Sequence, residues 1–570
     1  MSTPLTPAPP AEVTPAPTPP AAAGASPSAG SGRRGQRWRA LAALASGALL
    51  GLAWQPYGLW PLLLVGVPAL TLLVRGGPPR RSFGLGYLFG LGLLAVSISW
   101  LHVLGVWVAA LLILFEALFF GVLAAALTLV LRLRAWPFAA ACCWVAVEFA
   151  YSRLPFGGFG WVRLAYAAVD TPVAGFFPLV GVAGVSFVVA LVGQLVAWLV
   201  LRLRRRTPTA PAAAGRPRRG PLLVVAGSLV LLVVAGTALR GFQVEPAAGL
   251  QGSVDVGIVQ GNVPGRGIEA MGRARSVTNN HLAETVDLMT KARLGQVPTP
   301  DFLLWPENST DIDPTLDGLT RLTVQSAAEL AGVPILVGAV MQGPGPDERQ
   351  TSALWWDSRA GILARYDKRD LVPFGEWIPF RDQLLPLVPI LAQVGAQSVP
   401  GTTPGVLDVQ VDGRPLKVGD VICFELAYDA TVYETLTHGA QVSVVQSNNA
   451  TYGGTGQIEQ QFAITRARAM ESRREIAVAT TNSVSGFIDR DGRVVTRTTE
   501  FTADDRVVTM PLRTHLTPAV LVAPWVDRGL TLLAVLACAL ALVGARSRRP
   551  RTDPVGPARA PAPTNGRDLT

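Results

Sequence analysis

Eight windows of this chain are apolar and nearly free of charge: 38–55, 58–75, 83–101, 105–131, 135–150, 175–201, 221–239 and 528–545. A helix needs about 20 mostly apolar residues to cross the hydrocarbon core of a bilayer, so each window is read as a transmembrane helix. The fifth is short and carries Glu148. Trp54, Pro56 and Trp60 leave little room between the first two, which fits a re-entrant hairpin as well as two spans. Between 240 and 515 the pattern changes. Short β-branched runs (Val254–Gln260, Phe302–Trp305, Ile335–Val340, Ala353–Asp357, Val418–Ile422, Val442–Gln446 and Ile476–Thr480) alternate with helical periodicity at 270–293, 316–331, 427–438 and 457–474. Strands alternating with helices predict an α/β domain.

The expected organisation is a disordered tail over 1–37, a membrane domain of seven helices over 38–239 and a catalytic α/β domain over 240–515. An eighth helix at 528–545 and a disordered tail over 546–570 complete it. The tails and a linker near 207–220 are rich in Pro, Ala and Arg, a composition that cannot bury a core. Residues 371–400 stand apart: Leu-Val-Pro-Phe-Gly-Glu-Trp-Ile-Pro-Phe leads into a leucine-rich stretch. This is either a buried loop and helix of the core or an apolar arm that touches the membrane surface, where Trp and Phe anchor well.

Composition adds direction to this picture. Of 570 residues, 50% are hydrophobic and 15% charged, too apolar for an ordinary soluble enzyme. Arginines at 33–39, 75–81, 132–134, 202–219 and 546–549 all fall on one side if the eight spans are real. The positive-inside rule makes that side the cytoplasm. Both termini then lie in the cytoplasm and the 240–515 domain lies outside it. Residues 241–515 hold 23 Lys and Arg against 32 Asp and Glu, a balance of −9, which leaves +19 on the remainder of a chain whose net charge is +10. The basic charge thus belongs to cytoplasmic loops and does not point to nucleic acid. Cys142, Cys143 and Cys538 lie inside apolar windows, and the spacing of the four cysteines suggests neither a disulfide framework nor a metal site. No cofactor is expected.

The remaining cysteine, Cys423, ends a strand and precedes a helix, in Val-Ile-Cys-Phe-Glu. A lone Cys after a β-run is most often a small buried hydrophobe. A strand-to-helix turn also suits a nucleophile, provided a base or positive field activates the thiol. Glu307, in Leu-Leu-Trp-Pro-Glu, is a helix cap or surface carboxylate in the simplest reading and a general base in the other. Lys368, in Tyr-Asp-Lys-Arg-Asp, is either part of a solvated turn or a cation that stabilises a thiolate and an oxyanion.

The order Glu307, Lys368, Cys423, with separations of 61 and 55 residues and each beside a strand, resembles the carbon–nitrogen hydrolase (nitrilase) superfamily. Val259-Gln260-Gly261-Asn262, Asn448-Asn449 and the helix carrying Arg466–Arg474 match it as well. With the membrane windows included, the chain resembles the apolipoprotein N-acyltransferase branch of that superfamily, in Gln260–Pro264, Trp305–Glu307, Tyr366–Lys368, Leu371–Glu376, Cys423–Glu425, and the Pro155–Trp161 loop with Tyr166. The resemblance implies an αββα sandwich beside about eight spans in the bacterial inner membrane. It also implies Glu307 as base, Lys368 as oxyanion stabiliser, Cys423 as nucleophile, and Glu376, Glu425 and Phe424 as supporting residues. The implied acyl donor is a membrane phospholipid and the acceptor a diacylglyceryl-modified apolipoprotein. Phe424 stands where Tyr is common, and Asn448–Tyr452 departs from the usual Asn-Asp-Ala-Trp-Phe. The competing expectation is a membrane-anchored amidohydrolase in which water resolves the same thioester.

Overall fold

The computed structural model describes residues 29–204, 220–242, 252–263, 265 and 274–547. Expectations for the first 28 residues, most of the 207–220 linker, Pro264, the start of the 270–293 helix and the end of the C-terminal tail lie outside the described residues. Among the described residues, seven α-helices precede the sandwich: α1 (Ala29–Gly51), α2 (Leu63–Val74), α3 (Pro79–Ser97), α4 (Val106–Val130), α5 (Trp136–Tyr151), α6 (Phe177–Arg204) and α7 (Gly220–Leu239). A helix therefore falls at each of the first seven apolar windows. Among the described residues, four apolar stretches are long enough to cross a membrane: Val106–Val130, Pro172–Arg204, Gly220–Leu239 and Pro518–Ala545.

The second half runs β1 (Ser253–Gln260), α8 (Ser276–Arg293), β2 (Phe302–Leu304), α9 (Gly318–Ala331), β3 (Ile335–Gln342), β4 (Glu348–Asp357), β5 (Gly361–Asp367), α10 (Arg381–Leu384), β6 (Gln397–Ser398), β7 (Val406–Val411), β8 (Arg414–Ile422), α11 (Asp429–Thr437), β9 (Val442–Ser447), α12 (Gly456–Ser472), β10 (Ile476–Thr480), β11 (Gly486–Ile488), β12 (Val494–Arg497) and β13 (Asp504–Pro511), before α13 (Pro518–Ser547). One sheet is ordered β13-β1-β2-β3-β4-β5, with β6 on β4; the other is β12-β11-β10-β9-β8-β7. Val256, Ile258, Phe302 and Leu304 of the first sheet and Val418, Ile422, Val444 and Ala477 of the second share one core. A second apolar layer joins the first sheet to α8 and α9 through Leu288, Leu303, Val324 and Ala328. This is the nitrilase-like sandwich.

The outer layer of the second sheet is shared with the membrane half. Val421, Phe424, Leu426 and Val432, with Ile458 and Phe462 of α12, belong to the same apolar cluster as Trp54, Leu93, Phe120 and Val185 of the membrane helices. The joint is polar as well as apolar. Gly181 (φ 67°) breaks α6, and the freed N–H of Val182 donates to Glu471 Oε1 of α12 at 2.8 Å. A Cβ on Gly181 would lie 2.7 Å from that carboxylate oxygen, so the break and its partner fit only glycine.

α13 begins before the 528–545 window. Asp527 lies just before that window; its side chain is buried and receives Arg153 at 2.7 Å, so the charge faces protein. Residues 371–400 contribute little to the core. Phe380 and Leu387 are exposed, and Phe374, Trp377 and Phe380 meet the ring of Phe156, in the loop after α5, at 6.4, 6.1 and 5.8 Å.

Candidate active site

β1, β2 and β3 run parallel in one sheet, and β8, β9 and β10 run parallel in the other. Their carboxyl ends gather the polar residues, where ligands of parallel sheets bind. Glu307 follows β2 because Pro306 has no N–H to continue the ladder. Asn308 turns the chain with φ 55°, and Ser309 Oγ ties the turn to Gly338 O at 2.9 Å. Gly338 has no room for a side chain: a Cβ there would lie 2.1 Å from Pro306 O and 2.6 Å from Glu307 Cα.

Lys368 follows β5 and is held by its own backbone, its N–H donating to Thr351 O and its carbonyl accepting from Gly401 N, both at 2.8 Å. The solvated-turn reading does not hold: the side chain is 1% exposed. Its ammonium donates to Glu307 Oε1 at 2.9 Å and to Glu376 Oε1 at 2.7 Å. Glu307 Oε2 accepts the N–H of Asn448 at 2.8 Å, and Glu376 Oε2 accepts that of Val372 at 2.7 Å. Glu307 is thus neither a helix cap nor a surface group.

Cys423 follows β8 directly and lies in the left-handed region, φ 53°. A non-glycine residue held there is strained, and the strain turns its side chain out of the strand direction. Sγ faces Asn449 Oδ1 at 3.9 Å. Glu425 fastens the turn beneath it. Its carboxylate accepts from Ile422 N, Arg369 N and Tyr366 Oη, each at 2.7 Å, and thereby ties the nucleophile turn to the Lys368 segment. Phe424 points to the membrane half, stacked on Trp161 (5.8 Å, 15°) and Phe159 (6.0 Å, 23°).

Burial pushes the Cys423 thiol up, and the Glu307 and Glu376 carboxylates push it further, against Lys368. Burial also raises Glu307, opposed by Lys368 and reinforced by Glu376. Burial alone would lower Lys368, but the two carboxylates override it and hold the ammonium well above its ordinary value. Burial lifts Glu425 to about 7, while its N–H and O–H donors hold it down. The resting site therefore pairs a protonated thiol with a carboxylate and a fixed ammonium, a set suited to moving a proton off sulfur as the sulfur attacks.

The structure brings Glu307, Lys368, Cys423, Glu376 and Glu425 into one hydrogen-bonded neighbourhood. Two members were not singled out from sequence. Gln446 Nε2 crosses between the sheets to Trp305 O at 2.5 Å and secures the Glu307 turn; a Gln inside the buried run Val-Ser-Val-Val-Gln-Ser was the signal. Tyr366 was read only as part of a motif, yet its hydroxyl joins β5 to Glu425.

Residues 46–195 match the model of the apolipoprotein N-acyltransferase N-terminal domain, and residues 294–515 match that of the carbon–nitrogen hydrolase domain. An apolipoprotein N-acyltransferase of Mycolicibacterium smegmatis is 33% identical, over 88% of this chain and 85% of that one. One from Azotobacter vinelandii is 29% identical, over 90% and 96%. Among solved structures, an amidase from Nesterenkonia sp. AN1 is 16% identical, with a TM-score of 0.34 over 47% of this chain and 95% of that one; the nitrilase-like fold rests on the strand order and the domain match, not on this likeness. By sequence identity and by the order of its two domains, the chain belongs to the apolipoprotein N-acyltransferase family.

Proposed function

We propose that the protein transfers an acyl chain from a membrane phospholipid, through a thioester on Cys423, to the N-terminal amine of a diacylglyceryl-cysteine in an apolipoprotein. The observation that carries the chemistry is the bridge of Lys368 between Glu307 and Glu376 beside a left-handed Cys423. In the first half-reaction Glu307 takes the Sγ proton as sulfur attacks the ester carbonyl. The C–S bond forms, and Lys368 with the backbone N–H of Phe424 stabilises the oxyanion. The ester C–O bond breaks, and Glu307 returns the proton to the departing lysophospholipid hydroxyl. In the second half-reaction the acceptor amine attacks the thioester carbonyl, the C–N bond forms and the C–S bond breaks. The amine proton passes through Glu307 to the thiolate, and the cycle closes.

The membrane half spans the bilayer eight times, with both termini in the cytoplasm and the sandwich on the outer face of the inner membrane. A helix at every apolar window and the one-sided distribution of arginines support this topology. The arrangement has a physical reason. Both substrates carry acyl chains that cost about 0.8 kcal/mol per CH₂ to lift into water, and a site joined to the membrane helices by a shared core lets the chains stay in lipid. The exposed aromatic residues around Phe156 and Phe380 mark where chains enter.

The test is mass spectrometry of the purified protein after incubation with phospholipid, followed by addition of a diacylglyceryl lipopeptide. The expected result is an acyl mass on the Cys423 peptide that disappears as the lipopeptide amine is acylated, with no adduct in Cys423→Ala. An adduct on another residue, or release of free fatty acid alone, overturns the reading; the second outcome would establish the hydrolase.

A further inference from the structure

Gln460, on α12, sits at the meeting point of three loops from the membrane half. It is 4% exposed, and all four hydrogen-bonding positions of its carboxamide are filled. Oε1 accepts Trp100 Nε1 at 2.9 Å and Trp161 Nε1 at 2.8 Å; Nε2 donates to Gln55 O and Ser97 O, each at 2.6 Å. Every partner is a membrane-domain residue: Gln55 between α1 and α2, Ser97 and Trp100 at the end of α3, and Trp161 between α5 and α6. Convergence of four bonds on one neutral buried amide is a specific arrangement, because a carboxamide with any position unfilled would be costly to bury.

The two indoles it holds each meet an aromatic ring of a segment that flanks the nucleophile. Trp161 stacks on Phe424, the residue after Cys423. Trp100 meets Trp161 at 5.9 Å and Tyr452 at 5.2 Å, both edge-on. Tyr452 belongs to the turn that follows Asn449, whose side chain faces Sγ at 3.9 Å; burial raises its hydroxyl, and the Cys423 thiol raises it further. Phe424, Trp161, Trp100 and Tyr452 thus form one continuous aromatic wall that runs from the residue after Cys423 to the turn after Asn449, and Gln460 is the polar group common to its two tryptophans.

We propose that Gln460 is a positioning residue that fixes this aromatic wall as the surface against which the Cys423-bound acyl chain lies, so that it sets which chains the enzyme accepts. The inference rests on the thioester reading above. Gln460 itself touches neither thiol nor chain; it acts through Trp100 and Trp161. An apolar slot whose wall moves by a fraction of an ångström discriminates differently between chains of different length or shape, whereas the Glu307–Lys368 chemistry stays in place.

The full-length protein in lipid nanodiscs is given an equal mixture of phosphatidylethanolamines carrying lauroyl or palmitoyl chains. The ratio of the two acyl masses on the Cys423 peptide is read at early times. A ratio within one sample does not depend on how much enzyme is folded, so a merely structural defect leaves it unmoved. Gln460→Met keeps the bulk and removes all four bonds; Trp161→Phe keeps the stacked ring and removes one. The expected result is a clear preference in the unsubstituted enzyme, a shift of about tenfold in Gln460→Met, the scale of one misplaced methylene in an apolar slot, and a smaller shift in the same direction in Trp161→Phe. Equal use of both chains by the unsubstituted enzyme, or an unchanged ratio in the variants, overturns the proposal. If Gln460→Met does not fold, Trp161→Phe decides alone. Absence of any adduct on unsubstituted Cys423 rejects the thioester reading itself, and this inference with it.

Discussion

Glu376 reaches Lys368 at 2.7 Å from a loop that belongs to neither sheet, closer than Glu307 does from its strand end. The same turn carries Phe374 and Trp377, whose rings meet Phe156 of the membrane half. Glu376 therefore joins the electrostatics of the site to the position of the 371–400 arm.

Removing that carboxylate should separate thiol reactivity from acyl transfer. Glu376 raises the Cys423 thiol, so Glu376→Gln lowers it and leaves more thiolate at a given pH. Alkylation of Cys423 by iodoacetamide is expected to quicken in Glu376→Gln, while acyl transfer slows because the arm has lost its hold on Lys368. Slower alkylation, measured over a range of pH, would contradict the assigned electrostatics.

The acid limb of the rate profile follows from Glu307. Its carboxyl is raised by burial and by Glu376, and only the ionised form accepts the thiol proton. Activity is therefore expected to fall as pH drops through a value above the ordinary carboxylate range. In Glu376→Gln that limb moves to lower pH, because one of the two causes of the rise is gone. Glu307→Gln should cost about 10²–10⁴-fold in thioester formation, read as the acyl mass on Cys423.

Lys368→Met should be harsher on stability than on any single catalytic step. It leaves two carboxylates facing each other, one of them 4% exposed, without their cation. Breaking a buried pair from one side costs about 3–5 kcal/mol. A thermal unfolding midpoint equal to that of the unsubstituted protein in the same detergent would show that the bridge carries no such weight.

Gly338→Ala tests the support of the base without touching any charged group. The added methyl would collide with Pro306 O and Glu307 Cα. The expected outcome is at least about a tenfold loss of acyl transfer, since displacement of a catalytic group by an ångström costs as much as 10²-fold, with iodoacetamide still reaching Cys423. Unchanged transfer would mean that the turn can shift without loss.

Much of the sandwich was legible because its central strands are short apolar runs. Val254–Gln260, Val442–Gln446 and Ile476–Thr480 lie close to the observed β1, β9 and β10. β5 and β13 were missed for the opposite reason. Gly-Ile-Leu-Ala-Arg-Tyr-Asp shows no clean alternation, as befits an edge strand with an exposed face, and Asp504–Pro511 opens on two acids. At the site, Glu307 and Cys423 could be named from order and neighbouring strands, and Lys368 from order and its Tyr-Asp-Lys motif. The left-handed Cys423 could not, because its turn is fixed by Glu425 and by the Tyr366–Arg369 segment more than 50 positions away; the fully bonded Gln460 could not, because its partners lie hundreds of positions away. Glu425, which the resemblance implies as a supporting residue, collects the N–H groups of Ile422 and Arg369 and the hydroxyl of Tyr366, a set that order along the chain does not reveal. Replacing it with Ala should cost about 3 kcal/mol at roughly 1 kcal/mol per lost bond, measured by denaturant unfolding.

The apolar layer that α12 shares with the membrane helices sets a limit on how this enzyme can be taken apart. Residues 240–515 look like a self-contained α/β domain in sequence, but one side of its outer layer is completed by Trp161, Trp100 and Val182 from the other half. A chain begun at residue 240 would present that layer to water, together with a Gln460 amide stripped of its partners and a Glu471 carboxylate that has lost the N–H of Val182. The two halves are therefore expected to unfold as one cooperative unit, with the membrane helices structural members of the active site as much as its anchor.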